Sequence, residues 1–443
     1  MVGRKWCLGI CGIGILLLSC ATNPRVYKNI DAEVGRGSYG AALTALEKGQ
    51  SSGTSIYPPK NIIMYYLDKG MLEHYVGRYR ESAEDLEEAE RLIYEAYTKS
   101  IIQDIASYVA NDNTKDYPGE DYEDIYINVF SALNYYHQND IQGAMVEIRK
   151  LTEKLEYLSV KYAADLAKVK EYGQENNAEI PSGEPVNISN SALARYLSAL
   201  FYRGSNRMDD ARIDFVQLWN VYHSVPAVYS TPLPRSLELS GTPGHETNEE
   251  LAVPAGQARL NAICFAGLSP VKTENKVYGP LGTRVALPRL TPRPSAISHI
   301  RVEVEDGPSF DLDLLENMGA VMAETFKVRY SVIVAKTFIR TFMKYAVSVG
   351  GGVAAAKATD NDLLGFGVAL LGKLVTEVSE AADIRSSRYF PGRAYVGGVN
   401  LQPGIYNITV NFYNGSSPLE SIKLSGVKVE AQKTNIIEAF SLK

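Results

Sequence analysis

The chain is poor in cysteine, histidine and uninterrupted apolar sequence, and each shortage closes off a class of function. It has four cysteines in 443 residues, and three of them, Cys7, Cys11 and Cys20, fall in the first twenty. Cys264 alone remains beyond them, so neither an intramolecular disulfide framework nor a cysteine-built metal cluster is expected. Cys264 sits in Ala262-Ile263-Cys264-Phe265 and reads as a small buried hydrophobe. The five histidines, His74, His137, His223, His245 and His299, include no helical ligand pair and no HExxH, so zinc-hydrolase chemistry is unsupported. No GxSxG occurs, which argues against a hydrolase built on a nucleophile elbow. No block of lysine and arginine stands out and the net charge is −6, so nucleic acid is not an expected partner. Gly367-Val368-Ala369-Leu370-Leu371-Gly372-Lys373 mimics a phosphate loop. Leu374 then stands where a magnesium-binding hydroxyl is needed, so no nucleotide is expected.

What is present begins at the N-terminus. Arg4 and Lys5 precede an apolar run from Trp6 to Leu18, and Leu17-Leu18-Ser19-Cys20 follows the pattern of a bacterial lipoprotein signal. The run covers 13 residues against the roughly 20 a helical span needs, so a processed export signal is expected rather than an anchor helix. Cleavage before Cys20 and acylation of its thiol would leave a mature chain of net charge −8, since Arg4 and Lys5 depart with residues 1–19. Two or three acyl chains would hold it firmly to a membrane. Ala21, in place of an inner-membrane retention aspartate, favours an outer-membrane address facing the periplasm.

Residues 20–224 read as helical. In Glu81–Tyr97, Leu86, Ala89, Leu92, Ile93 and Ala96 recur at three- and four-residue steps. One phrase appears four times: a Gly or Asn, a large apolar residue two later, a small residue three after that, then a large apolar residue. The copies are Gly37-Tyr39-Ala42-Leu46, Gly77-Tyr79-Ser82-Leu86, Asn139-Ile141-Ala144-Ile148 and Asn206-Met208-Ala211-Phe215. This resembles the turn and second helix of a tetratricopeptide-type hairpin, in which the small residue lets two helices approach, the alternative being an ordinary irregular helical domain. The steps of 40, 62 and 67 residues between copies exceed the usual period of about 34, so insertions are expected. One such insertion, Asn111 to Tyr122, is turn-rich, and its Glu120 and Asp121 would open the following helix. Gly173–Asn190 reads as a surface connection. The five prolines of Val225–Gly256 mark an inter-domain linker or a loop draped over the surface.

From residue 257 to 443 the pattern becomes mixed. Leu260–Gly267 and Ile300–Val304 are expected strands, and Leu312–Phe326, Ser331–Val349 and Leu363–Val378 expected helices. Lys336, Arg340 and Lys344 form a basic stripe on the second of these, so the apolar pair could lie on a membrane, although a buried hairpin explains it more simply. Residues 391–443 alternate as strands around Leu401-Gln402-Pro403-Gly404 and Asn414-Gly415, suggesting a small antiparallel sandwich-like module. The expected fold class is α+β: helical repeats, a linker over 225–256, and a C-terminal α+β domain.

Three stretches resemble an uncharacterised family of bacterial outer-membrane lipoproteins with a tetratricopeptide-like N-terminal half. They are Asn111-Asp112-Asn113-Thr114 with Tyr117-Pro118-Gly119-Glu120-Asp121-Tyr122-Glu123; Ala132-Leu133-Asn134-Tyr135; and Ala382-Asp383-Ile384-Arg385-Ser386 leading to Phe390-Pro391-Gly392-Arg393. Ser387 departs from the tryptophan expected after Ser386. The resemblance implies fold and location and carries no activity. The candidate functional residues are therefore Cys20 for lipidation and Asn111, Asp112, Asn113, Gly119, Glu120 and Asp121 for a partner-binding or loop motif. No cofactor or metal is expected. The expected function is a non-enzymatic scaffold that binds envelope proteins, the 29 tyrosines offering contact surface. The alternative is an enzyme acting on peptidoglycan, with Glu120 and Asp121, or Glu303 with Glu305, as its acids.

Overall fold

A computed structural model describes residues 27–52, 55–102, 115–175, 191–278, 284–327, 329–330, 333–334 and 382–443. The expectations for residues 1–26, for Asn111, Asp112 and Asn113, and for nearly all of the apolar pair between 331 and 378 lie outside them.

The first half is a row of four antiparallel helix pairs: α1 (Lys28–Gly35) with α2 (Tyr39–Ser51), α3 (Ile62–Tyr75) with α4 (Tyr79–Ile102), α5 (Asp121–His137) with α6 (Ile141–Glu175), and α7 (Ala192–Gly204) with α8 (Met208–Ser224). The four-fold phrase marks every turn between partners. Its first residue takes the left-handed conformation each time, with φ of 76° at Gly37, 79° at Gly77, 62° at Asn139 and 58° at Asn206. Glycine and asparagine tolerate that region best. The same two backbone bonds close each turn, as in Gly77 N–H to His74 O and Arg78 N–H to Glu73 O, so the exposed carbonyls of the first helix are satisfied. The second helix then begins at Tyr39, Tyr79, Ile141 or Met208. The small residue, Ala42, Ser82, Ala144 or Ala211, is fully buried in all four. A further recurrence emerges from this register. Asp85, Glu147 and Asp214 stand eight residues after the turn residue and accept hydrogen bonds or ion pairs from Lys69, Asn128, and Arg195 with Ser198 on the partner helix.

The second half is a seven-stranded sheet in the order β8-β7-β4-β5-β6-β1-β9, with β1 (Ala258–Leu268), β4 (His299–Val304), β5 (Ser309–Glu316), β6 (Pro391–Leu401), β7 (Gly404–Asn414), β8 (Ser417–Val429) and β9 (Asn435–Ser441). The hairpin β2 (Val271–Tyr278) and β3 (Arg284–Thr291) stands apart from it. Strand β1 is buried along nearly its whole length because both of its faces are covered. Ile263 and Phe265 face the helices, whereas Leu260, Ala262, Cys264 and Ala266 share a second core with Ile300, Val302, Val410 and Phe412. Burial drives the Cys264 thiol far above its ordinary range, which makes it inert packing.

Several expectations change here. Residues 312–316 belong to strand β5, with helix confined to 318–327, because Phe310, Leu312 and Leu314 alternate with Asp311 and Asp313. The 401–404 turn joins β6 to β7 without pairing them, since the β4–β5 hairpin lies between. Strand β9 is not antiparallel to its neighbour but runs parallel to β1. Residues 225–256 are draped over the body: Val228, Tyr229, Leu233, Leu237 and Glu250 are buried. This strap also closes the helical row. Tyr222, in register with Ile93, packs on Tyr229 and bonds Thr231 and Pro232, where Ile93 packs on Gly119 at the entry to the next pair.

Candidate functional site at the seam between helices and sheet

The chemistry-bearing residues converge where the first helix of each pair meets the sheet. Three residues ahead of the turn residue, in register, stand His74 on α3, Tyr136 on α5 and Arg203 on α7. His74 Nε2 lies 3.0 Å from Glu438 of β9. Tyr136 Oη accepts from the Ile436 N–H of β9 at 2.8 Å. The Arg203 guanidinium donates to Asn261 of β1 and to Glu250 of the strap. The helical row thus grips β9 and β1 through one repeated position.

Four buried carboxylates organise this seam. Glu250 accepts from Arg203, Arg259 and Asn261, and although burial opposes its charge, the two guanidiniums hold it below the usual carboxylate range. Glu316, at the end of β5, accepts from Tyr126 Oη, Tyr229 Oη, Ser191 Oγ and the Leu193 N–H, so it ties α5, the strap and the opening turn of α7 to the sheet. Glu123 accepts from Tyr117 Oη, Tyr122 Oη and the N–H groups of Glu120 and Ser387; burial and the nearby Glu120 push it up to about 7. Glu438 takes His74 on one oxygen and His137 on the other, and against the effect of burial the imidazoles draw it down to about 2.

The described residues of the three resemblance stretches, from Tyr117 on in the first, meet in the same region. Arg385 caps the Tyr117 ring and donates to the Lys115 carbonyl and to Asn61. Phe390 packs among Tyr122, Tyr126 and Phe130. Asn134 links His74 to Ser82. Ser387 is fully buried, donating its hydroxyl to Asp68 and its N–H to Glu123. These residues are fasteners between halves of the fold.

Glu120 and Asp121 open α5 as expected, but Glu120 is no free acid. Its carboxylate is buried, with Lys272 Nζ at 2.5 Å from one oxygen and Arg329 at 3.2 Å from the other. Glu303 and Glu305 are exposed at the β4–β5 turn. Gly119 takes φ 81°, and a Cβ there would sit 2.7 Å from Ile93. Gly119→Ala is expected to lower stability by about 1–3 kcal/mol through backbone strain and overpacking, read as a lower denaturation midpoint at unchanged slope.

A hollow of about 310 Å³ between the strap and β5 is lined by Thr231, Pro232, Leu233, Arg235, Asp313 and Leu314, which provide no nucleophile and base in contact. Among the described residues no group of three or more histidines, cysteines or acids is placed to hold a metal ion. Sequence reading missed Glu250, Glu316, Glu438 and Arg203, each a single charge in a segment remote from its partners. The turn register would have singled out positions 74, 136 and 203. The chain matches no family model, no curated protein and no solved structure.

Proposed function

We propose that this protein is a lipid-anchored envelope scaffold, its row of tetratricopeptide-like hairpins holding a protein partner on the outer face. The observation that carries the reading is the occupancy of the inner face. The first helices α3, α5 and α7, whose side chains would line a peptide groove in such an array, are packed on the chain's own sheet. Tyr75, which the composition offered as contact surface, instead donates to the Tyr389 carbonyl just ahead of β6, and Tyr136 accepts from the Ile436 N–H of β9. The face of α4 and α6 offers a surface for a partner, with Tyr94 71% exposed, Tyr157 48% and Val146 41%. The signal ending at Cys20 and the family resemblance support the envelope location, and a sandwich-like β module would serve as the rigid back of the array.

Replacing Tyr94 and Tyr157 together with alanine tests this. Both are surface residues, so the fold should lose little stability. The expected outcome is loss of a specific envelope protein that co-purifies with the wild type after crosslinking in intact cells. The same set of co-purifying proteins from both forms would overturn the assignment of the face. Release of fragments from peptidoglycan by the purified chain would favour the enzymatic alternative.

A further inference from the structure

The four second helices share one register, so the outward faces of α2, α4, α6 and α8 compare position by position. Seven, ten and thirteen residues after the turn residue stand Thr44, Glu47 and Gln50 on α2, Glu84, Glu87 and Glu90 on α4, and Val146, Arg149 and Thr152 on α6. Only Val146 among these is apolar, as suits a face turned to water. On α8 the same places hold Ile213, Val216 and Trp219. None of the three helps to build the core: α8 buries Ala211, Phe215, Leu218, Val221 and Tyr222 instead. Ile213 is 51% exposed, Trp219 36%, and Val216 is half-buried between them. The patch is therefore a property of α8 alone and is not required by the repeat.

The arc is also matched to itself. At 3.6 residues per turn Val216 lies at its middle, with Asp209 and His223 about 20° to either side, Arg212 and Asn220 about 40°, and Ile213 and Trp219 about 60°. When two copies of α8 cross antiparallel with Val216 on a two-fold axis, Ile213 of one protomer comes level with Trp219 of its partner, and the same contact recurs on the other side of the axis. Arg212, paired to Asp209 and Glu246 within its own protomer, comes level with the uncharged Asn220. Asp209 comes level with the His223 ring. No charge faces its own twin, whereas a parallel pair would set Arg212 beside Arg212 and Asp209 beside Asp209. The indole is also held in advance: the His223 ring lies against it at 4.1 Å between centroids, and His223 Nδ1 is 2.8 Å from the Trp219 carbonyl. An aromatic already fixed loses little freedom on docking.

We propose that α8 is the contact surface for a second copy of this chain, an antiparallel two-fold pair of α8 helices with Val216 on the axis and Ile213 packed against Trp219. One helix arc is small beside the roughly 1,200–2,000 Å² of a standard interface, so the pair forms at micromolar concentration rather than as an obligate dimer. It is independent of the α4–α6 face, which stays open to a different protein.

Sedimentation equilibrium of the full chain in density-matched detergent is the first test. The wild type is expected to pass from monomer to dimer mass across the micromolar range. Ile213→Glu should stay a monomer there with an unchanged denaturation midpoint, because the side chain it replaces is at the surface. Cysteine linking with copper–phenanthroline as oxidant fixes the register, the wild type serving as the blank for Cys20 and Cys264. Val216→Cys should form a reducible dimer roughly tenfold or more faster than Tyr94→Cys, since thiols on the axis are held at high effective concentration. Ile213→Cys mixed with Trp219→Cys should link to each other faster than either links to itself, the reverse of a parallel pair. A wild type that stays monomeric, an Ile213→Glu chain that associates as the wild type does, or equal linking at 216 and 94 would each overturn the proposal. So would preferred self-linking at 213, or a protein other than this chain crosslinked over residue 216 in intact cells.

Discussion

Glu250→Ala is expected to destabilise the fold by about 3–5 kcal/mol, the usual cost of removing one member of a buried ion pair. The carboxylate is completely buried, and both of its guanidinium partners, Arg203 and Arg259, are buried with it. Taking it away strands two cations and leaves the Asn261 amide without one of its acceptors, Tyr196 Oη being the other. The loss is structural as well as electrostatic, because Glu250 is the point where the strap, α7 and β1 meet. Urea denaturation followed by far-ultraviolet circular dichroism measures it as a lower midpoint. An effect below about 1 kcal/mol would mean that water reaches the cluster, since exposed pairs contribute little. The pH dependence has a definite sign. Its folded-state pKa lies below the unfolded one, so its contribution is present above the unfolded value near 4.5 and fades as pH falls through the folded value. Wild type and Glu250→Ala should therefore draw together in stability under acid.

The helical half was legible in the sequence because its signal is local. A turn residue, the apolar residue that starts the next helix and the small residue one turn later lie within ten positions, and the backbone requirement at each is independent of what packs outside. The irregular spacing also has a plain cause: α4 and α6 run to 24 and 35 residues. Strand β5 was misread since Leu312, Leu314 and Leu315 satisfy a short helical period nearly as well as an alternating one. The parallel pairing of β9 with β1 joins residues 175 positions apart and leaves no mark on either strand. Hairpin β2–β3 escaped because Lys272 is a buried lysine held by Glu120, the reverse of the usual pattern, and Pro288 interrupts its partner strand. The seam was the least legible part. Glu250, Glu316 and Glu438 look like any acids of an acidic chain, and their importance comes from partners brought in by the topology. Glu120 and Asp121 were legible as the start of α5, but the partners of Glu120 were not, because acids at a helix start look alike whether they face solvent or a buried lysine.

Cys20→Ser is expected to abolish acylation at position 20 and the processing that follows it, leaving residues 1–19 attached. Each buried methylene is worth about 0.8 kcal/mol, so one acyl chain holds marginally whereas two or three hold firmly. Serine lacks the thiol that accepts diacylglycerol, and an unmodified precursor is also not cleaved before that position. Among the described residues no helix is long and apolar enough to cross a membrane, so on this reading the acyl chains carry the attachment. The anchor also sets an orientation. Tyr27 is the seventh residue after Cys20, a reach of at most about 25 Å, and it is fixed in the body by Tyr57 and by the Arg388 guanidinium over its ring. The α1–α2 end of the row would then lie next to the bilayer, and α8 would stand three helix pairs away. Fractionation of wild type and Cys20→Ser, with mass spectrometry of the mature N-terminus, decides the matter. A wild-type terminus without acyl mass, or a serine variant still cut before position 20, would remove the anchor and with it the support for the envelope location.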